Sequence, residues 1–225
     1  METFHPIKTS DYALLPDTEV VERVLEGEKE LYELLMRRHN QKLYRAVRSY
    51  LKAEHEVEDA MQDTYLKAYE KLRQFRNNAR FSTWLIRIGI NTALEKIREH
   101  KRVTPVNLQV DSQNIYANLP TQVNTMNPEK IALQKEAKQL LEKAIDFVPE
   151  KYRIVYTLRE LEGMDVEEVT QCLGLSESNV KIRLHRAKSM LKEILYKLSN
   201  SKDVFEFGFK RCDAIVERVM HRLPS

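Results

Sequence analysis

Apolar residues recur at three- and four-residue spacing through most of the first hundred positions, a period that predicts helices. The stretch from Thr18 to about His100 divides into four. A short helix ends near Gly27. The second, Glu28–Tyr50, carries Leu31, Leu34, Leu35, Leu43 and Val47 along one side. The third, about Glu56–Gln74, carries Val57, Ala60, Met61, Ala68 and Leu72. The fourth, about Ser82–His100, turns Ile86, Ile90, Ala93, Leu94 and Ile97 inward. At Thr104 the period stops. From there to Pro128 the chain has Pro105, Pro120 and Pro128, many Asn and Gln, and a single charge, Asp111. Such a stretch reads as an extended linker, too long for an ordinary connection inside a compact domain.

The helical period resumes at Asn127-Pro128-Glu129, with Asn as cap and Pro in the first turn. This helix turns Ala137, Leu140, Leu141 and Ala144 inward, and Pro149 opens the next, with Ile154, Val155, Leu158 and Leu161, closed by Gly163. Asp165, with Glu168 three residues on, predicts a capping box. Leu173-Gly174-Leu175 then makes a turn, and Ser176 caps a long helix whose inner side is Val180, Leu184, Ala187, Leu191, Ile194 and Leu198. The tail Phe205–Leu223 has Cys212, Ile215, Val216, Val219 and Leu223 at helical spacing. The expected fold is all-α. Two small, separately folded helical domains (18–102 and 128–199) are joined by a flexible linker (103–127), with a short helix in a C-terminal extension (203–225).

Composition agrees with this and narrows the setting. A chain of 225 residues holds one large or two small domains, and 5 Gly and 7 Pro leave little room for a turn-rich β architecture. The opening METFHPIKTSDYALLP lacks a basic segment followed by an apolar core, so no signal peptide is expected. No window reaches the roughly 18 apolar residues of a spanning helix, so no membrane insertion is expected. Two cysteines make no disulfide framework. The expectation is a reduced, soluble, cytoplasmic protein.

The net charge of +3 says less than its distribution. After the Gly174 turn, the polar side of the stretch Ser176–Leu191 carries Lys181, Arg183, Arg186 and Lys188 against only Glu177. A basic second helix after a Gly turn is the helix-turn-helix pattern, which offers N-terminal polar residues to base edges and later cations to phosphate. Ser178, Asn179, Lys181, Ile182, His185 and Arg186 are the candidates for the groove, with Val180 and Leu184 facing inward. The bland alternative is a solvated surface helix. A second signal is the loop Phe75–Phe81, where Arg73, Arg76 and Arg80 accompany Asn77, Asn78 and two phenylalanines. Cations that track a backbone, amides that read base edges and a pocket for an unstacked base suit single-stranded nucleic acid. An exposed turn capping a core is the equal alternative. Trp84 reads first as a core residue, and Met61, Met164 and Met190 as packing.

The acidic stretch Glu54, Glu56, Glu58, Asp59 and Asp63 lacks the pattern of a calcium loop and reads as a protein-facing or solvated surface. The histidines have no partner at zinc-ligand spacing. No phosphate-cradling Gly loop and no nucleophile motif occurs, so neither a metal, a cofactor nor catalysis is expected.

Taken together, these segments resemble the extracytoplasmic-function (ECF) sigma factors, small two-domain specificity subunits of bacterial RNA polymerase. EVEDAMQDTYLKAYEKLRQF resembles the family's acidic helix ahead of its promoter-melting loop. FSTWLIRIGINTALEKIRE resembles its Trp-containing helix over the −10 element. VPEKYRIVYTLRELEGMDVEEVTQCLGLSESNVKIRLHRAKSMLKEIL is similar to its −35-reading domain. The resemblance covers about residues 20–198 and implies core polymerase, promoter DNA and an anti-sigma factor as partners. It implies that Glu58, Asp59, Gln62 and Asp63 face the polymerase clamp helices. Arg76, Asn77, Asn78, Arg80 and Phe81 would form the loop that captures a flipped −10 base, with Trp84, Arg87 and Asn91 on the adjoining helix. Asn179, Lys181, Ile182, His185 and Arg186 would take the −35-reading positions, although Ile182 and His185 depart from the small polar and aromatic residues expected there. The linker would thread into the polymerase near its active site. A rival reading is a stand-alone helix-turn-helix regulator, which leaves the basic loop and the Trp-bearing helix unexplained.

Overall fold

The computed structural model describes residues 14–103 and 128–199. The expected linker and C-terminal helix therefore lie outside the described residues. Within them all regular structure is helical. The N-terminal group comprises α1 (Asp17–Glu26), α2 (Tyr32–Arg48), α3 (Glu54–Glu70) and α4 (Phe81–Val103). The C-terminal group comprises α5 (Pro128–Phe147), α6 (Glu150–Tyr156), α7 (Val166–Leu173) and α8 (Glu177–Ser199). Short 3₁₀ turns, Lys29–Leu31 and Leu72–Gln74, occupy the ends of what the apolar period predicts as longer second and third helices. The period survives a 3₁₀ turn because side chains three apart still share a face.

Leu35, Leu43, Val47, Val57, Leu72 and Leu85 are sealed inside the N-terminal group. Gly89 lets α4 come close to α2, since a Cβ there would sit 2.5 Å from Leu43 Cδ1. Two buried tyrosines tie α2 to α3: Tyr32 donates to the Tyr65 carbonyl at 2.8 Å, and Tyr65 to Asn40 Oδ1 at 2.8 Å. At the start of α1, Asp17 receives Arg38 at 2.9 Å and His39 at 2.7 Å.

In the C-terminal group α5 and α8 pack through Ala144, Val148, Ala187 and Leu191. Asp165 caps α7 as expected: its carboxylate accepts from Glu168 N at 2.8 Å, while Glu168 accepts from Asp165 N at 3.0 Å. Gly174 ends α7 in the left-handed region (φ 63°), where a Cβ is disfavoured. The residues after α6 make a π turn, Thr157–Leu161, with Glu162 N donating to Thr157 O at 3.0 Å. Three positions differ from the predicted inner faces: Ala137, Leu161 and Leu198 are exposed. Ala137 and Leu198 lie outside the apolar cluster that joins α5 to α8.

The two helical domains form as expected, and they pack against one another through a shared apolar cluster. Ala46 of α2 and Ile86 and Ile90 of α4 are buried in the same cluster as Ile154, Val155, Leu158, Val169, Cys172 and Val180. Helical period shows that Ile86 and Ile90 face away from water, but not which neighbour removes it. Polar contacts frame this seam. Arg45 reaches Glu162 at 2.7 Å, Arg48 reaches Asp146 at 2.9 Å, and Ser49 Oγ donates to Thr157 Oγ1 at 3.1 Å.

Candidate nucleic-acid interface

The turn at Gly174 and the cap at Ser176, whose Oγ accepts from Asn179 N at 3.4 Å, set the start of α8. Val180 is fully buried behind it and Leu184 half-buried. That leaves Ser178, Asn179, Lys181, Ile182, His185 and Arg186 exposed together. Ile182, 51% exposed, is a large apolar side chain set in a polar and basic surface. Lys181 pairs with Glu177 at 3.3 Å, and Arg186 donates to the Tyr152 hydroxyl at 3.3 Å. Both cations stay at the surface, where phosphate can replace these weak partners.

The loop before α4 exposes Arg76, Asn77, Asn78 and Arg80. Asn77 takes a left-handed conformation (φ 57°), which Asn tolerates better than most residues. Beneath the loop lie Phe75, Phe81 and Trp84, with ring centroids 5.5–5.6 Å apart. Here one sequence-predicted site residue moves. Phe81 is only 2% exposed and belongs to the core, so it supports the loop from below instead of offering a face to a base. Trp84 is half-buried against the same core. Arg87 and Asn91 are exposed one turn apart on α4.

On α3, Glu58, Asp59 and Gln62 are exposed, while Asp63 pairs with Lys96 at 2.8 Å. Further along the same helix Leu66 and Tyr69 are exposed, at 66% and 44%. Sequence reasoning passed over both; their signal was an apolar pair standing off the inward stripe. No group of three or more metal-ligating side chains occurs among the described residues. None of their helices is long and apolar enough to cross a membrane.

Sequence reasoning also missed Thr83, a buried residue whose hydroxyl donates to Glu168 of α7 at 3.1 Å. Arg80 Nε lies 3.6 Å from the same carboxylate oxygen. Cys172 sits against Thr83, its thiol directed at the Thr83 carbonyl at 3.4 Å. Burial pushes that thiol up to about 12, and the Glu168 charge adds to the shift.

The two surfaces fall in two separately matched regions. A family model of sigma-70 region 2 matches residues 35–103, and one of sigma-70 region 4 matches residues 138–191. The chain is 31% identical over 179 residues to the ECF RNA polymerase sigma-E factor of Escherichia coli K12, spanning 79% of this chain and 93% of that one. The chain belongs to the ECF sigma-factor family.

The ECF sigma-E factor of Haemophilus influenzae is 30% identical over 181 residues, with 79% of this sigma factor and 94% of that one covered. Two solved structures share the fold. CnrH, in complex with the cytosolic domain of CnrY, matches with a TM-score of 0.55 and 24% identity, over 82% of this chain and 99% of that one. The sigma factor RpoE in complex with the anti-sigma factor NepR, from Bartonella quintana, matches with 0.57 and 22%, over 73% and 96%. In this sigma factor the region 2 match runs from α2 through the loop to the end of α4. The region 4 match begins in the second half of α5 and extends into α8.

Proposed function

We propose that this sigma factor directs RNA polymerase to promoters through a division of labour between its two helical groups. The C-terminal group lays α8 in the major groove of the −35 element. Ser178 and Asn179 reach base edges, and Ile182 meets a thymine methyl, the apolar mark of that groove. Lys181, His185 and Arg186 contribute phosphate contacts, and these supply much of the affinity and its salt dependence. The N-terminal group opens the −10 element. Arg76 and Arg80 hold the backbone of the displaced strand, Asn77 and Asn78 read a base that has left the stack, and Arg87 and Asn91 lie beside the duplex edge. Unstacking costs a few kcal/mol, which the backbone contacts and the base pocket offset.

Polymerase supplies the chemistry, so the chain itself is no enzyme in this reading. Glu58, Asp59, Gln62 and Asp63 of α3, extended by Leu66 and Tyr69, form the surface that meets the clamp helices. Domain bounds of 18–102 and 128–199 are part of this proposal, supported by the region 2 and region 4 matches that fall within or close to them. An anti-sigma factor is the proposed regulator, a reading supported by the RpoE–NepR complex. Work on promoter DNA puts the protein in the cytoplasm.

The carrying observation is an exposed basic recognition face and an exposed Arg/Asn loop in one chain whose halves match sigma-70 regions 4 and 2. A stand-alone regulator accounts for the first surface only. Run-off transcription with bacterial core polymerase on a genomic library tests the reading: discrete initiation sites are expected. A chain that neither co-purifies with core polymerase nor starts a transcript would defeat it.

A further inference from the structure

The loop that precedes α4 starts after Phe75 and ends at Phe81, so an aromatic ring anchors each end. The two rings meet edge to face at 5.5 Å, and Trp84 lies 5.5 Å from Phe75 and 5.6 Å from Phe81. A fourth ring reaches this cluster from α2. His39 stands 5.4 Å from Phe81, tilted by 48°, with its side chain only 10% exposed. Its Nε2 lies 2.7 Å from Asp17 Oδ2 and carries the hydrogen, because an ionised carboxylate only accepts. Arg38 donates to the other oxygen at 2.9 Å, so one acid at the start of α1 fixes two successive residues of α2. Packing alone does not explain this histidine. Nδ1 is buried without a hydrogen-bond partner among the described residues, a cost that phenylalanine or leucine would avoid. What the imidazole has over those is a tether: the bond to Asp17 sets the angle at which its plane meets Phe81.

We propose that Asp17 and His39 are positioning residues for promoter opening. Asp17 aims the His39 ring, the ring holds Phe81, and Phe81 fixes one end of the loop against the other. Arg76, Asn77, Asn78 and Arg80 then meet the displaced strand already arranged. Neither positioning residue needs to touch DNA, and duplex reading by α8 does not depend on them. A loop that must first find its arrangement binds more weakly, by the fraction of molecules that hold it. This rests on the loop being the single-strand contact assigned to it above.

Two substitutions divide the roles of bond and ring. His39→Phe keeps a ring beside Phe81 and removes the bond to Asp17; His39→Gln keeps a donor for Asp17 and removes the ring. Each full chain is assembled with core polymerase on a promoter found by the run-off experiment above. Closed-complex affinity should stay within about twofold, while permanganate-reactive open complexes fall about five- to tenfold. Trp84 is the chain's single tryptophan, so its emission in the free protein reports on the ring cluster and should shift in both variants. Val20→Ala removes buried methyls from α1 and leaves the Asp17–His39 bond in place. It should lower Tm while leaving both opening and Trp84 emission unchanged. An equal loss of opening from Val20→Ala would reduce the effect to a loosened α1 and overturn the positioning. Loss of opening with unchanged Trp84 emission would overturn it as well, since the rings would not be the route. Normal opening in both His39 variants, while alanine at Arg76 and Arg80 abolishes it, would leave the loop's role intact and sink the positioning alone. Opening indifferent to those loop substitutions would remove the loop's assigned role and the positioning with it.

Discussion

Arg48 clasps Asp146 with both terminal nitrogens, at 3.0 and 2.9 Å, across 98 residues of sequence. The same carboxylate takes a 3.4 Å contact from Arg153, whose side chain is almost wholly buried. One acid thus serves two guanidiniums, one from each half of the molecule. Burial lowers the Arg153 pKa from its ordinary value, and the Asp146 charge opposes that pull. Asp146→Ala should therefore cost about 2–3 kcal/mol, below the figure for a fully buried pair because Asp146 is partly open to water. Arg48→Ala should cost about 1–2 kcal/mol, since it leaves Asp146 beside Arg153. Urea unfolding of the full chain separates the two, and equal losses would mean that Arg153 does not depend on this carboxylate.

Gly89 sets the approach of α4 to α2. An exposed helical Gly→Ala gains up to about 1 kcal/mol in propensity. Here the new methyl would sit 2.5 Å from Leu43 Cδ1, on a side chain with no exposure, and close to Val47 and Thr64. Overpacking of this kind costs about 1–3 kcal/mol, so the packing term should win. Gly89→Ala is expected to lower Tm; a rise would show that Leu43 repacks freely.

The loop offers a sharper functional test. Arg76 and Arg80 are exposed, so alanine at both should leave the fold intact. Closed complexes with polymerase should form normally, while permanganate-reactive thymines around the −10 element disappear. The salt dependence of single-strand binding should also flatten, by about 0.7 in log–log slope for each phosphate no longer neutralised. Footprints as open as the unsubstituted protein's would rule out the assigned role.

On α8 two kinds of substitution should behave differently. Arg186→Ala should weaken binding to all duplexes and reduce the salt slope by about 0.9. Asn179→Ala should instead lower discrimination by about 1–3 kcal/mol at one base pair and leave nonspecific affinity alone. Competition binding against a library of substituted −35 elements distinguishes the two patterns. Uniform loss from both changes would make α8 a phosphate clamp without base readout.

Asp17 gives a pH signature. Burial raises its pKa, but hydrogen bonds and charge from His39 and Arg38 outweigh that and hold the carboxyl below its ordinary value. A carboxyl with a lower pKa folded than unfolded stabilises fully above the unfolded value, near 3.9, and loses that contribution as pH falls through the folded one. The attachment of α1 should thus hold at pH 5 and above and weaken below about pH 4. Asp17→Asn should remove this acid-sensitive part, seen as a shallower fall of urea-unfolding stability in acid.

The helices and most of both surfaces could be read from the chain alone, because each rests on local physics. Three- and four-residue spacing marks the faces that leave water; Asp165 with Glu168 and Gly174 mark where α7 starts and stops. The basic residues of α8 and of the loop are exposed whatever surrounds them, because isolated cations do not bury. Only the tertiary structure decided what lies opposite each face. Ile86 and Ile90 have the same apolar character whether α2 or α6 covers them, so their spacing could not show that the two halves share a core. Phe81 could have been a stacking platform or a prop until its neighbours were known. Glu168 reads as a cap from sequence, and only its position over Thr83 and Arg80 makes it a contact between halves as well. Period and charge are properties of one segment; partnership belongs to two, and distance along the chain carries no record of it.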